Sequence, residues 1–539
     1  MAYIENFPVT VTNPDGEVLE LLTSGDEFSN YLHDEYGNKI MLGEDGYYRY
    51  AYQYKEEIFP GKIKVDKKKY KGKVHKKEIK DSDAQYKRRA TRMYDVPELN
   101  NIGDDIEKKS DGEISFSPQN NSIHLGILNN ITIFIRFADD NNTWNNSFSH
   151  YQNVLNGNRP SVRNYFDEVS YGKVDVTSHF YPTTTNNAIV SYQDIYNRNY
   201  YLPHSSTNPE GYLSSERVSR EHGLLRRAIE AVRNQVPTSL EIDGDNDGRV
   251  DSVSFICKGN ATGWGSILWG HRWALYSQNV QINGKRVWDY TFQPENQATW
   301  GIISHEIFHV FGAPDLYRYT GGGITPVGRW DIMASGSAHM GAHMKHKYTN
   351  QKWIESIPVI THSGKYTLNP LTSATNNVYR INSPNSTQEY FLVEYRRRLT
   401  GTYDSAVPGT GLIIYRIHGG VNTGNRNGPP DEVYIYRPNG TLTNNGTITA
   451  AHYNNSVGRT EISNITNPRG FLSNNSNGDL HIFNIREVNN SIEFEVFIEG
   501  STPPVDKTVT LTTNPADIGS VEGAGVFPAG SVITIKATN

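Results

Sequence analysis

Ser304-His305-Glu306-Ile307-Phe308-His309-Val310-Phe311-Gly312-Ala313-Pro314-Asp315 is the stretch that decides how the rest of the chain is read. On a helix, residues four apart share a face, so His305 and His309 present their imidazoles to one metal ion. Zinc suits such ligands: neutral imidazole nitrogens hold it at about 2.0–2.1 Å and leave an open position for a water. Glu306, beside the first histidine, reaches that water as a base without filling the coordination sphere. A third protein ligand is still needed. Gly312 can take the left-handed conformation that ends a helix and turns the chain back. Pro314 stiffens the segment behind it, and Asp315 is then placed to return to the metal as a carboxylate ligand at about 2.0–2.2 Å. A bare H-E-x-x-H arises by chance in many proteins, and the helix-ending glycine and spaced acid narrow it. Further on, Trp330-Asp331-Ile332-Met333-Ala334-Ser335-Gly336 reads as a tight Met-turn that sets Met333 beneath the metal. The bland alternative, two buried histidines on a core helix, leaves Glu306 without a role.

Upstream, Ile131-Thr132-Ile133-Phe134-Ile135-Arg136-Phe137 alternates as a strand, and a helix is expected at about 214–236. Val218, Leu225, Ile229, Val232 and Val236 fall on one face of it. A strand at 250–256 comes next, then the helix that carries the histidines. That order of strand, helix, strand and helix predicts an α/β unit with a mixed sheet. Between the helix and the second strand, Asp243-Gly244-Asp245-Asn246-Asp247-Gly248-Arg249-Val250-Asp251 sets carboxylates at alternate positions around a glycine turn. Asp243, Asp245, Asp247 and Asp251 are therefore expected to converge on calcium, since acids packed this tightly repel one another unless neutralised. The loop lacks a helix-loop-helix setting and a distal bidentate Glu, so it is not a strict EF-hand. An acidic surface turn is the alternative.

Beyond about residue 360 the chain reads as all-β. Tyr390-Phe391-Leu392-Val393-Glu394-Tyr395, Gly411-Leu412-Ile413-Ile414-Tyr415-Arg416-Ile417, a run at 481–485 and another at 492–498 are short strands separated by Gly/Asn/Pro turns, the pattern of a β-sandwich. Ser501-Thr502-Pro503-Pro504-Val505 reads as a linker, and the residues after it as the start of a small β repeat cut short at Asn539. At the other end, residues 1–60 read as short strands and turns, with Asn13-Pro14-Asp15-Gly16 a turn signal. Residues 62–92 are rich in Lys and Arg without apolar periodicity. With no aromatic platform or recognition helix beside them, they read as a solvated linker, open to proteolysis, rather than a nucleic-acid surface.

The 539 residues exceed one core, and roughly three or four units are expected. A net charge of −6 gives no global reason to bind nucleic acid. No run approaches the length of a transmembrane helix. Cys257 is the sole cysteine, so no internal disulfide exists; it reads as a small buried hydrophobe on a strand. Met1-Ala2-Tyr3-Ile4-Glu5-Asn6 lacks the basic start and apolar run of a signal peptide. Either the protein is cytosolic or an export signal has been replaced by Met-Ala, and the remaining motifs favour an extracellular protein.

His305-Glu306-x-x-His309-x-x-Gly312-x-x-Asp315 resembles the M6 metallopeptidases of the immune inhibitor A type, relatives of the metzincins in which Asp stands for the third His. The resemblance extends to Asn13-Pro14-Asp15-Gly16, to Phe166-Asp167-Glu168-Val169-Ser170-Tyr171-Gly172-Lys173 and to Pro408-Gly409-Thr410-Gly411-Leu412. It implies an α+β multidomain protein: a propeptide-like unit at 1–60, a basic linker ending it at 61–112, and a metzincin-like zinc protease domain with mixed sheet and active-site helix at 113–360. A β-sandwich at 361–500 completes the part the resemblance covers, about residues 9–500, and the partial β repeat at 505–539 is read from the sequence pattern alone. It implies zinc on His305, His309 and Asp315, Glu306 as base, and Met333 in the Met-turn. The implied activity is a secreted endopeptidase acting on proteins or peptides, monomeric and made as a zymogen. Cys257 is not placed to supply the propeptide cysteine that keeps some relatives latent, and Asp95 is one candidate substitute. A catalytically degenerate adhesin or binding protein is the alternative, against which the intact Glu306 argues.

Overall fold

The apolar residues of Gly126–Arg136 alternate, so that Ile131, Ile133 and Ile135 enter one core layer while Leu128 and Phe134 enter another. The strand they form sits inside a sheet covered on both faces. The computed structural model describes residues 4–25, 30–43, 45, 47–54, 57–65, 106–108, 114–116, 124–184, 186–261, 267–319, 323–500, 507–512, 520–527 and 533–538. Asp95 and most of the basic run at 62–92 lie outside the described residues.

Strands β1 (Ile4–Thr12), β2 (Val18–Gly25), β3 (Asn30–His33), β4 (Lys39–Leu42), β5 (Tyr48–Tyr54) and β6 (Glu57–Lys64) pair in chain order as an antiparallel meander. Leu19, Leu21, Leu32, Ile40, Tyr50 and Val65 form its core. β7 (Ile106–Lys108) and β8 (Ile114–Phe116) make a short ribbon.

The central sheet is built from β9 (Gly126–Arg136), β10 (Val174–Tyr181), β11 (Tyr192–Gln193), β12 (Ser252–Cys257), β13 (His271–Ala274) and β16 (Asp289–Pro294). Its order is β10-β9-β12-β16-β13, with β11 pairing in parallel with the end of β9. β9, β10, β12 and β16 run parallel and the edge strand β13 antiparallel, so the expected mixed sheet is present. A small hairpin of β14 (Gln281–Ile282) and β15 (Lys285–Arg286) precedes β16. Every residue of β12 and β16 is buried, as in strands covered on both faces.

Helices α1 (Phe148–Asn156), α2 (Val162–Val169) and α4 (Trp300–Val310) share one core layer with the sheet, and α3 (Arg217–Val232) shares the other. The helix expected at 214–236 is α3 with a 3₁₀ turn at each end. A short helix α5 (Ala342–Lys347) comes after the Met-turn segment.

Downstream, β17 (Val359–Ile360), β19 (Val378–Asn382), β20 (Glu389–Arg396), β21 (Gly411–His418) and β22 (Val433–Ile435) form one sheet. β18 (Gly364–Leu368), β24 (Ser491–Val496) and β23 (Ile482–Val488) form a second. Phe391, Val393, Leu412 and Ile414 pack with Ile482, Ile492 and Phe494 between the two sheets. The alternate residues Leu392, Ile413, Tyr415 and Ile417 point the other way, into the core that also holds α4 and Met333. The five-stranded sheet is thus a layer between two cores, which explains its near-continuous apolar runs. β25 (Lys507–Val509) pairs with β27 (Gly525–Phe527), and β26 (Ser520–Glu522) with β28 (Lys536–Thr538).

Candidate metal centre

Thr299 opens α4 in an extended conformation, and its hydroxyl accepts a hydrogen bond from the Ile302 N–H at 3.4 Å. The helix is apolar almost all round and is buried along most of its length, including His305 and Glu306. It stops at Val310. Gly312 takes φ +93° and the Ala313 N–H closes on the Phe308 carbonyl at 3.2 Å, so the chain doubles back.

This reversal brings Asp315 onto the histidine pair. Its Oδ1 lies 3.0 Å from His305 Nε2 and 3.4 Å from His309 Nε2. Two nitrogens and one carboxylate oxygen bound to zinc at about 2.05 Å in a tetrahedron are separated by about 3.3 Å, so the spacing fits that ion. The tautomers fit as well. His305 Nδ1 is 2.7 Å from the Ile332 carbonyl, and His309 Nδ1 is 2.6 Å from the Ala313 carbonyl. A carbonyl accepts only, so each Nδ1 carries a proton, and in the neutral ring each Nε2 turns its lone pair towards Asp315. Two ring nitrogens and a carboxylate oxygen gathered this closely in the interior form a group that could hold a metal ion. The second oxygen of Asp315 accepts a hydrogen bond from the Tyr319 hydroxyl at 2.5 Å.

Met333 is fully buried in the turn that sequence placed beneath this cluster. Asp331 shapes that turn: its carboxylate accepts from the Met333 N–H at 2.8 Å and from the Gly341 N–H at 2.6 Å, while its carbonyl accepts from Gly336 at 3.0 Å. Burial pushes the Asp331 carboxyl up to about 6 against those two hydrogen bonds. The turn touches the centre twice, through Ile332 to His305 and through the Met333 carbonyl, which accepts from the Leu316 N–H at 2.7 Å.

Among the described residues a second cluster brings carboxylates of Asp243, Asp245 and Asp247 within 4.8 Å of one another. Asn246 and Gly248 adopt φ of +60° and +85°, and these left-handed residues curl the loop. Asp251 is not in the converging trio; its Oδ2 accepts from the Gly244 N–H at 3.0 Å. Lys285 neutralises one member, with Nζ 2.5 Å from Asp243 Oδ2. Burial, reinforced by the neighbouring carboxylates, pushes Asp245 up to about 6 and Asp251 to about 7.

Sequence reading missed Tyr319 and Asp331. Asp331 carries a usable signal, an acid two residues before the turn methionine whose side chain can bond that residue's N–H. Tyr319 carries none, since its contact depends on how the chain leaves Asp315.

A helix-borne histidine pair with an adjoining glutamate is thus met by a carboxylate from the reversed chain, an arrangement that could hold one metal ion. Residues 241–352 match the family described as immune inhibitor A peptidase M6, catalytic domain. That match places the segment in the M6 peptidase family and makes this protein a metallopeptidase. No curated protein matches the chain. Among solved structures, wild-type OgpA from Akkermansia muciniphila is similar at 11% identity over 57% of this chain and 89% of that chain, with a TM-score of 0.24. A second crystal form of it gives 10% identity, the same coverage and the same TM-score. Metalloproteinase-II from Bacteroides fragilis is similar at 11% identity over 64% of this chain and 85% of that chain, with a TM-score of 0.21.

Proposed function

We propose that this chain is a secreted, zinc-dependent endopeptidase, built as a metzincin-like catalytic unit at 113–360, then a β-sandwich at 361–500 and a partial repeat at 505–539. The observation that carries the reading is the convergence of two Nε2 atoms on Asp315 Oδ1, both rings being held by carbonyls behind them. Zinc bound there supplies a Lewis acid and a water acidified towards neutrality. Glu306, buried next to His305, takes the proton from the attacking water and returns it to the leaving amine. The edge strand β13 offers its outer backbone edge to an extended substrate, a mode that tolerates many sequences. The meander at 4–65 and the residues up to 112 are proposed as the propeptide of a latent precursor. Asp243, Asp245 and Asp247 are proposed to hold a structural calcium ion. No helix among the described residues is long and apolar enough to cross a membrane.

The test is hydrolysis of casein by the purified chain, before and after light trypsin treatment, with and without a zinc chelator. Chelator-sensitive activity that rises after trypsin is expected. Glu306→Gln should keep its zinc and lose activity about 10²- to 10⁴-fold, the usual share of a general base. Full activity in that variant sinks the mechanism, and chelator-resistant activity sinks the zinc assignment.

A further inference from the structure

We propose that the loop carrying Gly424, Asn425 and Arg426, in the β unit beyond residue 360, is a clamp that positions the third metal ligand. Together with Tyr319 it commits Asp315 to binding through Oδ1 alone. The proposal rests on the zinc reading of the centre given above.

A carboxylate on a free side chain can offer a metal either oxygen or both. Asp315 lacks that freedom. The Tyr319 hydroxyl holds Oδ2 at 2.5 Å, and both groups are buried, so only Oδ1 faces the two histidines. The backbone on either side of this contact is fixed by residues far downstream. The Asp315 carbonyl accepts from the Asn425 N–H at 2.9 Å. Asn425, fully buried, donates through Nδ2 to the Leu316 carbonyl at 2.8 Å and to the Val433 carbonyl at 2.7 Å, and its Oδ1 accepts from the Val433 N–H at 3.0 Å. One amide side chain therefore joins the residue after the ligand to strand β22. Arg318 meets Asp431 in a two-pronged pair at 2.6 Å and 2.6 Å, and the Tyr319 N–H donates to the Arg426 carbonyl at 3.0 Å. Within five residues, 315, 316, 318 and 319 are each tied to the same loop.

The close approach explains Gly424. Its φ is +61°, and a Cβ there would stand 2.1 Å from the Asp315 carbonyl oxygen and 2.9 Å from the Pro314 ring. Any larger residue pushes the loop off the ligand segment. The Gly424 N–H is held in turn by Glu432 Oε2 at 2.8 Å. Such outer contacts tune affinity because they fix the ligand before the metal arrives. None of these loop residues falls within the segment that matches the peptidase family, 241–352.

The experiment measures the zinc dissociation constant of the full chain by chelator competition, well below the melting temperature of the zinc-free protein, together with the visible absorption of the cobalt(II)-substituted form. Tyr319→Phe and Gly424→Ala are compared with wild type and with His309→Ala. Wild type should bind one tight zinc that His309→Ala loses. Tyr319→Phe and Gly424→Ala should each weaken zinc by about 10- to 100-fold and alter the cobalt spectrum. The zinc-free melting temperature of Tyr319→Phe should stay at the wild-type value, a result that separates positioning from simple stability. If Gly424→Ala does not fold, Arg318→Gln combined with Asp431→Asn removes a tie without stranding a charge and carries the same expectation. Wild type without zinc would refute the reading of the centre itself. Wild type with zinc, and variants matching it in affinity and spectrum, would overturn the clamp alone.

Discussion

Replacing Arg396 by Met should destabilise the protein by about 3–5 kcal/mol, the cost of breaking a buried ion pair from one side. Arg396 is fully buried on β20. Its Nε and Nη2 donate to the two oxygens of Asp404 at 2.8 Å and 2.6 Å, and its Nη1 lies 3.2 Å from Glu394 Oε1. It also donates to the Trp330 carbonyl at 2.8 Å and the His339 carbonyl at 3.1 Å, one on each side of the Met-turn. Methionine matches the length of the stem but leaves Asp404 a buried carboxylate without its cation and two carbonyls without a donor. Those carbonyls place the expected loss near the upper end of the range, because each unsatisfied buried group costs about 1–3 kcal/mol. The assay is equilibrium urea denaturation monitored by tryptophan fluorescence, read as a shift in midpoint at unchanged slope. Adding Asp404→Leu to Arg396→Met should recover part of the loss, since an apolar pair can replace a buried ion pair at little cost. A loss under about 1 kcal/mol for the single variant, or a double variant no better than the single, would refute the claim that this pair fastens the β unit to the Met-turn.

Two further outcomes depend on charge. Burial alone would raise Glu432, but hydrogen bonds with His343 and Lys347 hold its carboxyl down to about 2. A depressed carboxylate stabilises the fold above its unfolded value near 4.5 and loses that contribution as pH falls through about 2. Acid unfolding of the wild type between those limits should therefore be reduced in Glu432→Gln, by up to about 3 kcal/mol; identical pH profiles of melting temperature would argue against it. Calcium at about 10 mM should raise the melting temperature of the wild type, worth roughly 1.4–2.7 kcal/mol if the site binds in the range of extracellular modules. Asp245→Asn should abolish the effect, and a wild type indifferent to calcium would remove the ion from the Asp243 loop.

What the sequence disclosed were features whose chemistry is local. His305, Glu306 and His309 are set by one helical turn, Gly312 by one backbone conformation, and Met333 by one tight turn, so spacing alone carries them. The alternating strand at 131–137 and the helix at 214–236 were legible for the same reason, as periods of two and 3.6 residues. Strands β10, β13 and β16 were not. β16 alternates Tyr290 and Phe292 with polar residues over only six positions although every residue is buried, and β13 has only four residues. The N-terminal meander read only as short strands and turns, because its core rests on a few scattered apolar residues, Leu19, Leu21, Leu32, Ile40, Tyr50 and Val65.

The contacts that tie the centre to the rest of the chain were hidden for a different reason: they join residues 52 to 113 positions apart. Arg396 and Glu394 sit in a run that reads as an ordinary strand, yet the pleat turns both, with Leu392, towards the Met-turn, while Phe391, Val393 and Tyr395 fill the core on the other side. Glu394 Oε2 accepts from the Ala342 N–H at 2.7 Å, and Arg396 takes the two carbonyls upstream of it. The charged pair at alternate positions of an otherwise apolar strand was the visible trace. A charge buried within a sheet is tolerated only where it is paired or hydrogen-bonded, and here Arg396 meets Asp404, Glu394 and two carbonyls that flank the Met-turn segment. The candidate ligands therefore come from one short segment, while the contacts that hold that segment in place come from a sheet whose own sequence says nothing of metal.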